Sequence, residues 1–370
     1  MKDEGSGKKG PPLQPSRGEF DFIERIRRRA ANRHPRRAAA GSRSGSHHSS
    51  PVTHHSSLSQ GIGDDAAVIR QRAGRETVIT TDLLVEGIDF RLATTRPHLL
   101  GWRALAVSLS DIAAMGAAPL WSLLSVGVPR EIWDTRFLDD FYKGFFALAD
   151  EHGVTLVGGD VSRTPGRVLI DSIVLGEVVR GRAILRSGAR PGDHIFVTGS
   201  LGGAAAGLRL MDGGAGLSER RPRSSAGRAV EQLLLRQLCP VPRVRWGLTL
   251  GEERLAAAMI DISDGLSSDL AHLCRESRVG ARIEAARIPF DPLIAETLER
   301  SLDPLWLALH GGEDFELLLT VRPRDLSRLP RRVGGVPLTY LGDVTAEPGR
   351  IQVITASGTR ELEAGGFRHF

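Results

Sequence analysis

Cysteine is scarce in this sequence of 370 residues, which contains only Cys239 and Cys274. Two cysteines cannot build a disulfide framework or a cysteine-based zinc site, so their scarcity favours a reducing compartment. Long apolar runs are also missing. The longest helical apolar region, residues 99–115, is interrupted by Arg103 and Asp111, and we therefore expect no membrane partner.

Lysine is almost absent beyond the first residues of the chain. After Lys9 the only lysine is Lys143, and no GxxxxGK[ST] sequence occurs. These absences exclude a P-loop enzyme and the protein-kinase fold, which needs a lysine on a strand. Any phosphate group would have to be met by metal ions and arginine. Arg186 is the natural candidate, because a guanidinium is permanently charged and matches a phosphate bidentately.

The net charge of +5 comes from one end of the chain. Residues 1–60 contain 12 Lys and Arg against five Asp and Glu, which leaves the other 310 residues at −2. This segment is rich in Arg, His and Ser, and we interpret it as a helix followed by a largely disordered insert. Its histidine pairs have no apolar neighbours to fix a metal geometry. It lacks interleaved aromatic residues, so no specific nucleic-acid partner is expected, only weak, salt-sensitive binding.

From residue 61 onward, short β-rich runs alternate with helical patterns, which predicts an α/β or α+β protein. The chain is long enough for two domains, and charged turn residues favour a junction near residue 182. We therefore predict domains at 61–182 and 183–370. The predicted strands are 76–82, 154–160, 167–178, 193–200, 257–265 and 314–321, and the predicted helices are 98–117, 135–153 and 266–277.

Aspartates recur at the ends of the apolar runs. Asp82, Asp160 and Asp261 end or follow strand-like segments, Asp264 comes just beyond, and Asp111 lies within an apolar helical pattern. One buried acid alone is more often a helix cap or an ion-pair partner. Several brought to one sheet edge would repel strongly unless divalent cations were present, and ligands that are all oxygen select a hard ion such as Mg²⁺.

A glycine-rich segment, GSLGGAAAGL at 199–208, follows a predicted strand and opens a helix. Such a segment is either an anion cradle at a helix N-terminus or merely a tight turn.

Eight motifs in this order resemble one known family. They are GEFDFIERI, GIGDDAAV, TTDLLVEGIDF, ALAVSLSDIAAMGA, LVGGD, LRSGARPGD, IDISDGLSSDL and GGEDFEL. Together they are similar to the thiamine-monophosphate kinase family, within the superfamily of aminoimidazole ribonucleotide synthetase. The resemblance covers residues 18–29 and 61–370.

The resemblance implies an N-terminal domain that forms a homodimer through its sheet, a C-terminal α/β domain, and ATP bound in the cleft between them. The implied reaction converts ATP and thiamine monophosphate into ADP and thiamine diphosphate with several Mg²⁺ ions. An Arg-rich, Ser-rich start also resembles a transit peptide, but here the basic segment follows the first family motif, so a cytoplasmic location is preferred.

The family's site residues carry over by position. The implied magnesium shell is Asp65, Thr80, Thr81, Asp82, Asp111, Asp160, Asp261 and Asp264. The implied ATP contacts are Gly159, Asp160, Arg186 and Ser263. The implied substrate contacts are Asp89, Glu313 and Phe367.

One position departs from the family pattern. The family commonly has His where this chain has Asp89, which puts substrate affinity in doubt more than chemistry. An acid there would repel a phosphate and favour the cationic thiazolium, or else it turns outward without effect. No catalytic nucleophile or base is expected, because the acceptor phosphate is itself largely ionised. Two alternatives stay open: another ATP-using synthetase of the superfamily, or a non-catalytic nucleotide-binding protein.

Overall fold

The computed structural model describes residues 18–31, 58–60, 62, 66–219, 222–297 and 303–366. These residues form ten α-helices in two α/β units. The helices are α1 (Glu19–Ala31), α2 (Pro97–Ala114), α3 (Arg130–Trp133), α4 (Phe137–His152), α5 (Gly203–Asp212), α6 (Ser225–Leu238), α7 (Val244–Glu252), α8 (Leu266–Ser277), α9 (Leu293–Glu296) and α10 (Pro304–His310). Two short 3₁₀ helices lie at Ala285–Arg287 and Pro323–Arg328.

The N-terminal unit contains a four-stranded sheet in the order β3-β6-β4-β5. Only the β4–β5 pair is parallel. A separate pair, β1 and β2, lies before it. The strands are β1 (Leu58–Gln60), β2 (Val68–Ile69), β3 (Arg75–Val85), β4 (Ala118–Val128), β5 (Thr155–Arg163) and β6 (Leu169–Val179).

The C-terminal unit contains a larger mixed sheet in the order β14-β13-β9-β12-β7-β10-β8, with β11 paired to β12. Strand β10, which lies between β7 and the edge strand β8, is buried along its whole length, as expected for a strand covered on both faces. The strands are β7 (His194–Thr198), β8 (Ala256–Asp261), β9 (Gly280–Glu284), β10 (Leu317–Val321), β11 (Arg332–Val333), β12 (Val336–Thr345), β13 (Ile351–Thr355) and β14 (Gly358–Glu361).

Helix α2 lies between the two units and joins their cores. Fourteen of its 18 residues are buried, and it contacts β3, β6, β8 and α7. A helix that is apolar on nearly every side must be covered on nearly every side, and this one is covered by both units. One continuous core therefore includes Leu105 and Ile112 of α2, Phe145 of α4, and Leu317 and Leu319 of the C-terminal sheet.

The six predicted strands and three predicted helices all correspond to observed elements, although their ends shift by up to four residues. The mixed α/β architecture is confirmed. Strand β4, at the centre of the N-terminal unit, was not predicted, because its run of apolar and small residues has no clear alternation. Within the described part of the chain, no helix is long and apolar enough to cross a membrane.

Glycines allow α2 and α4 to pack closely. A Cβ atom added to Gly101 would lie 1.8 Å from the carbonyl oxygen of Phe141, and one added to Gly144 would lie 1.7 Å from that of His98. Both neighbours are helix backbone, which cannot move without separating the helices.

We expect Gly144→Ala to lower the free energy of unfolding by about 3 kcal/mol, because the added methyl group overpacks a helix crossing. Chemical denaturation measures the change. Gly216→Ala is the matched control, since a Cβ there meets no atom within 4 Å. Equal stability of the two variants would contradict this description of the α2–α4 contact.

Candidate active site

Strand β3 and helix α2 bring two of the predicted ligands together. Along β3, Val78, Thr80, Asp82 and Leu84 alternate with exposed residues, so they lie on the face toward α2. The hydroxyl of Thr80 donates to Asp111 Oδ2 of α2. The hydroxyl of Ser108, one helical turn before Asp111, donates to Asp82 Oδ2 at 2.7 Å.

The C-terminal unit adds a third carboxylate. Asp261 is the last residue of β8 and is buried against α2, where the Ser110 hydroxyl donates to its Oδ2 at 2.7 Å. Asp111 thus lies on α2, and two serines of the same helix bind Asp82 and Asp261. We call these three aspartates the carboxylate cluster. Its members come from both units, so it forms only when the two units pack together.

Burial and mutual repulsion make this cluster difficult to ionise. Burial, followed by the charges of Asp111 and Asp171, raises the pKa of Asp82 to about 6, although the Ser108 hydrogen bond opposes the shift. Burial also raises the pKa of Asp111, while Thr80 and Arg186 oppose the shift. The pKa of Asp261 lies well above its ordinary range, first because of burial and then because of Asp111. The cluster therefore carries more negative potential than its hydroxyl partners offset.

The sheet divides the predicted magnesium shell. Asp160 of β5 is in register with Ser125 of β4, which is in register with Asp171 of β6 and, beyond it, Leu83 of β3. Residues in register point to the same face, so Asp160 and Asp171 lie on the face opposite Asp82. Thr81 is on that face too, and its hydroxyl donates to Asp171 Oδ1 at 2.6 Å. Sequence reasoning did not single out Asp171, although it is an acid within an apolar strand.

Two further predicted residues, Ser263 and Asp264, lie just before α8 begins. Asp264 is half-buried, and the backbone amides of Asp264 and Gly265 both donate to Asp269 Oδ2 at 3.1 Å. Burial, followed by the charge of Asp264, raises the pKa of Asp269 to about 7. Arg186 is exposed, and its charge lowers the pKa of both Asp111 and Asp269.

The donor set of the cluster suits Mg²⁺. Among the described residues, no three His, Cys, Asp or Glu side chains converge as a ready-made metal site. The carboxylate cluster nevertheless offers only oxygen donors and an uncompensated negative charge, which are the properties that a hard dication requires. Asp65, another predicted ligand, lies outside the described residues.

A cavity of about 80 Å³ adjoins the predicted nucleotide contacts. It lies between α1 and β5, and its lining includes Phe22, Tyr142, Gly158, Gly159 and Asp160. Gly159 has φ +150°, and a Cβ there would lie 2.0 Å from the carbonyl oxygen of Leu124 on the neighbouring strand β4. Only glycine therefore fits this position. Phe22 and Tyr142 were not identified from the sequence, since they lie on helices far from the glycine motif in the chain.

Glu313 faces the N-terminal unit across the junction. Its carboxylate accepts hydrogen bonds from Arg103 of α2 and from the side-chain amide of Gln237 of α6. Asp89 accepts a hydrogen bond from the Val85 amide at 2.7 Å through its carboxylate, so its side chain closes the turn after β3. Asp89 is therefore not an idle outward-facing residue, and its contact with the substrate stays a prediction. Phe367 lies outside the described residues.

The glycine-rich segment at 199–208 does open a helix after a strand, but a protein carboxylate fills its N-terminus. Asp314 accepts hydrogen bonds from the amides of Gly202 (2.6 Å) and Ala204 (3.1 Å). Of the two alternatives, the structure therefore contradicts an open anion cradle.

Comparison with known proteins identifies relatives over most of the chain. The family model described as "AIR synthase related protein, N-terminal domain" matches residues 63–178, and its C-terminal counterpart matches 190–354. Thiamine-monophosphate kinase of Escherichia coli (strain K12) is 38% identical over 312 residues, which are 84% of this chain and 91% of that protein.

Solved structures agree. The crystal structure of thiamine-monophosphate kinase from Stenotrophomonas maltophilia K279a has a TM-score of 0.75 and 37% identity, and the match covers 90% of this chain and 96% of that one. The structure described as "AaThiL complexed with AMPPCP and TMP" has a TM-score of 0.70 and 28% identity, over 95% and 97% of the two chains.

The raised pKa of Asp82 predicts how stability responds to pH in the absence of divalent cations. Because its pKa rises from 3.8 to about 6 on folding, the folded chain loses stability as pH increases through this interval. We expect Asp82→Asn in EDTA to be more stable than the parent by about 2 kcal/mol at pH 8, with the gain vanishing near pH 4.

Denaturant unfolding at the two pH values measures this difference. Glu131→Gln, at an exposed position on α3, is the control and should change stability at neither pH. If Asp82→Asn destabilised the chain at pH 8, the conclusion that the ionised Asp82 carboxylate destabilises the fold would be contradicted.

Proposed function

The chain belongs to the thiamine-monophosphate kinase family, and from this membership we propose that it phosphorylates thiamine monophosphate with ATP. The products are thiamine diphosphate and ADP. The observation that carries the proposal is the carboxylate cluster, which lies at the junction of the two units. A non-catalytic nucleotide-binding protein has no need for three neighbouring acids with raised pKa values, of which Asp261 is buried and Asp82 and Asp111 are half-buried.

We propose that the cluster holds Mg²⁺. Asp82, Asp111 and Asp261, with the Thr80 hydroxyl, supply the oxygen ligands, and the bound cation would neutralise phosphate charge. Ser108 and Ser110 hold two of the carboxylates in place. Asp264, where α8 begins, is proposed to extend the shell once phosphate is present, whereas Asp160, at the other edge of the sheet and on its opposite face, is proposed to act at the nucleotide.

The nucleotide is proposed to lie along the predicted contacts Gly159, Asp160, Arg186 and Ser263. The cavity beside Gly159, with Phe22 and Tyr142 in its wall, is proposed to receive the purine base. Arg186, whose charge lowers the pKa of Asp111, would meet the phosphate chain with a permanent positive charge.

Transfer is proposed to be direct and in line. The acceptor is a phosphate whose second pKa is about 6, so it needs no base to remove a proton at neutral pH. The barrier arises from bringing two anions together, and the chain contributes alignment and charge compensation. Trapping a phosphoenzyme would contradict direct transfer.

An ADP-formation assay with thiamine monophosphate, with thiamine, and with no acceptor, each with and without Mg²⁺, tests this function. We expect turnover with thiamine monophosphate that requires Mg²⁺. Asp82→Asn and Asp160→Asn should each lower kcat about 100-fold, because each removes a charge that supports phosphate neutralisation. Glu131→Gln should retain full turnover, whereas near-normal turnover in the two aspartate variants would reject the site.

A homodimer is proposed through the exposed face of the N-terminal sheet. Ile79 and Leu83 of β3 are 63% and 60% exposed, and Leu169 of β6 lies beside them. Exposed large apolar side chains grouped on one face of a sheet favour an interface. These residues lie at the edge of the sheet away from β5, so a second copy can cover them and leave Asp160 accessible.

We propose that the protein acts in the cytoplasm.

Light scattering after gel filtration tests the dimer. Leu83→Lys should shift the mass from two chains to one, because a buried lysine would lose its hydration at the interface. Leu208→Lys, at an exposed apolar position on α5, should leave the mass unchanged. A parent chain that is monomeric at micromolar concentration would contradict the proposal.

A further inference from the structure

Arg103 is a buried cation that joins three segments of the chain. Its side chain is 2% exposed, within α2. One terminal nitrogen donates to the carbonyl oxygen of Gln237, and the other donates to the carbonyl oxygen of Asp89 (3.3 Å) and to Glu313 Oε1. It therefore holds the turn of Asp89 and the loop of Glu313, which belong to different units, at a set separation.

Glu313 is held on both carboxylate oxygens and remains partly open. Arg103 donates to Oε1 and Gln237 Nε2 donates to Oε2, while the side chain stays 31% exposed. A carboxylate has about four lone-pair sites, so two donors leave room for a ligand. Because the two donors bind different oxygens, the Arg103 guanidinium and the Gln237 amide together fix the plane of the Glu313 carboxylate.

The backbone at Glu313 is strained. Glu313 has φ +67° and Phe315 has φ +50°, values in the left-handed region that cost a non-glycine residue about 1–2 kcal/mol each. The surroundings maintain this conformation: the Glu313 amide donates to the Ser263 carbonyl oxygen at 2.7 Å, and the Phe315 amide donates to that of Ile262 at 2.9 Å. The loop is thus locked to the segment that carries Asp261 and Asp264.

The network is not arranged for stability alone. Arg103 Nε and Gln237 Oε1 are buried without a hydrogen-bond partner among the described residues. Each unsatisfied group costs about 1–3 kcal/mol, and a buried ion pair is often no better than an apolar pair of the same volume. A chain selected only to join its two units would lose little by replacing Arg103 with an apolar residue.

We propose that Arg103 and Gln237 are positioning residues for the acceptor substrate. They hold the Glu313 carboxylate in one orientation beside the Asp89 turn, so that it accepts a hydrogen bond from an amino-substituted heteroaromatic ring such as the aminopyrimidine of thiamine monophosphate. Asp89 takes part through its carbonyl oxygen, whereas its carboxylate closes its own turn. This inference rests on the proposed function, and it concerns recognition of the acceptor only.

The consequence is a selective change in kinetics. Loss of a positioning residue lets Glu313 and the Asp89 turn drift, which weakens acceptor binding and leaves the nucleotide site intact. KM for thiamine monophosphate should rise while KM for ATP stays constant. A merely structural link between the units would alter both constants together, because the carboxylate cluster also spans the junction.

Steady-state kinetics of three single variants and one double variant test the proposal. Gln237→Leu should raise KM for thiamine monophosphate about tenfold and change KM for ATP less than about twofold. Arg103→Met should lower kcat/KM for thiamine monophosphate about 100-fold, since it removes a charge and three hydrogen bonds. Glu313→Gln should raise the same KM, and adding Gln237→Leu to it should cause no further rise, because the two residues act through one contact.

Arg72→Met is the matched control. Arg72 forms an ion pair with the buried Glu177 at 2.6 Å within the N-terminal unit, so its loss removes a comparable interaction outside the site. It should lower stability without changing either KM. If Arg103→Met does not fold, Gln237→Leu and the double variant decide the matter, since Gln237 is neutral and its side chain gives Glu313 a single hydrogen bond.

The proposed function and this inference fail in different ways. A parent enzyme without turnover on thiamine monophosphate would reject the proposed function. An active parent enzyme, together with Gln237→Leu and Arg103→Met variants whose KM for thiamine monophosphate matches that of the parent, would overturn the positioning role. Equal rises of both KM values in these variants would also overturn it.

Discussion

The buried negative charge around helix α2 is the constraint on which the rest of the structure depends. Asp82 and Asp111 would each be costly to bury alone, and Asp261 from the second unit increases the cost. The serine and threonine hydroxyls of α2 and β3 offset part of it, and a dication at the cluster would offset more. Since α2 also lies at the centre of the shared core, the two units pack around these acids with raised pKa values.

On the C-terminal side, a strained and closely packed loop fixes the position of Glu313. The loop from Gly311 to Glu316 has two non-glycine residues in the left-handed region, and it is held by carboxylates that point inward. Asp314 satisfies the N-terminus of α5, and Glu316 pairs with Arg243 and Thr198. With its neighbours held inward in this way, Glu313 is the acid of the loop that reaches the junction with α2.

The magnesium shell implied by the family motifs is only partly gathered by this single chain. Thr80, Asp82, Asp111 and Asp261 lie near one another along α2, whereas Thr81 and Asp160 lie on the opposite face of the sheet, as Asp171 does. Period-2 alternation explains the division, because neighbouring residues such as Thr80 and Thr81 must point to opposite faces of a strand. Asp160 is nonetheless next to Gly159 and the apolar cavity, so a nucleotide lying over the edge of β5 would reach both faces.

The sequence by itself determined the mixed α/β class, six strands and three helices, and the residue types at the site, because hydrophobic periodicity and the acid-glycine motifs are local properties. It could not determine that α2 joins the two units, that Asp314 fills the α5 N-terminus, or that Arg103 and Gln237 hold Glu313. Those facts depend on which segments meet across more than 70 residues of chain, as Gln237 and Glu313 do. Long-range packing, which alone sets burial and therefore pKa, was decided only by the tertiary structure.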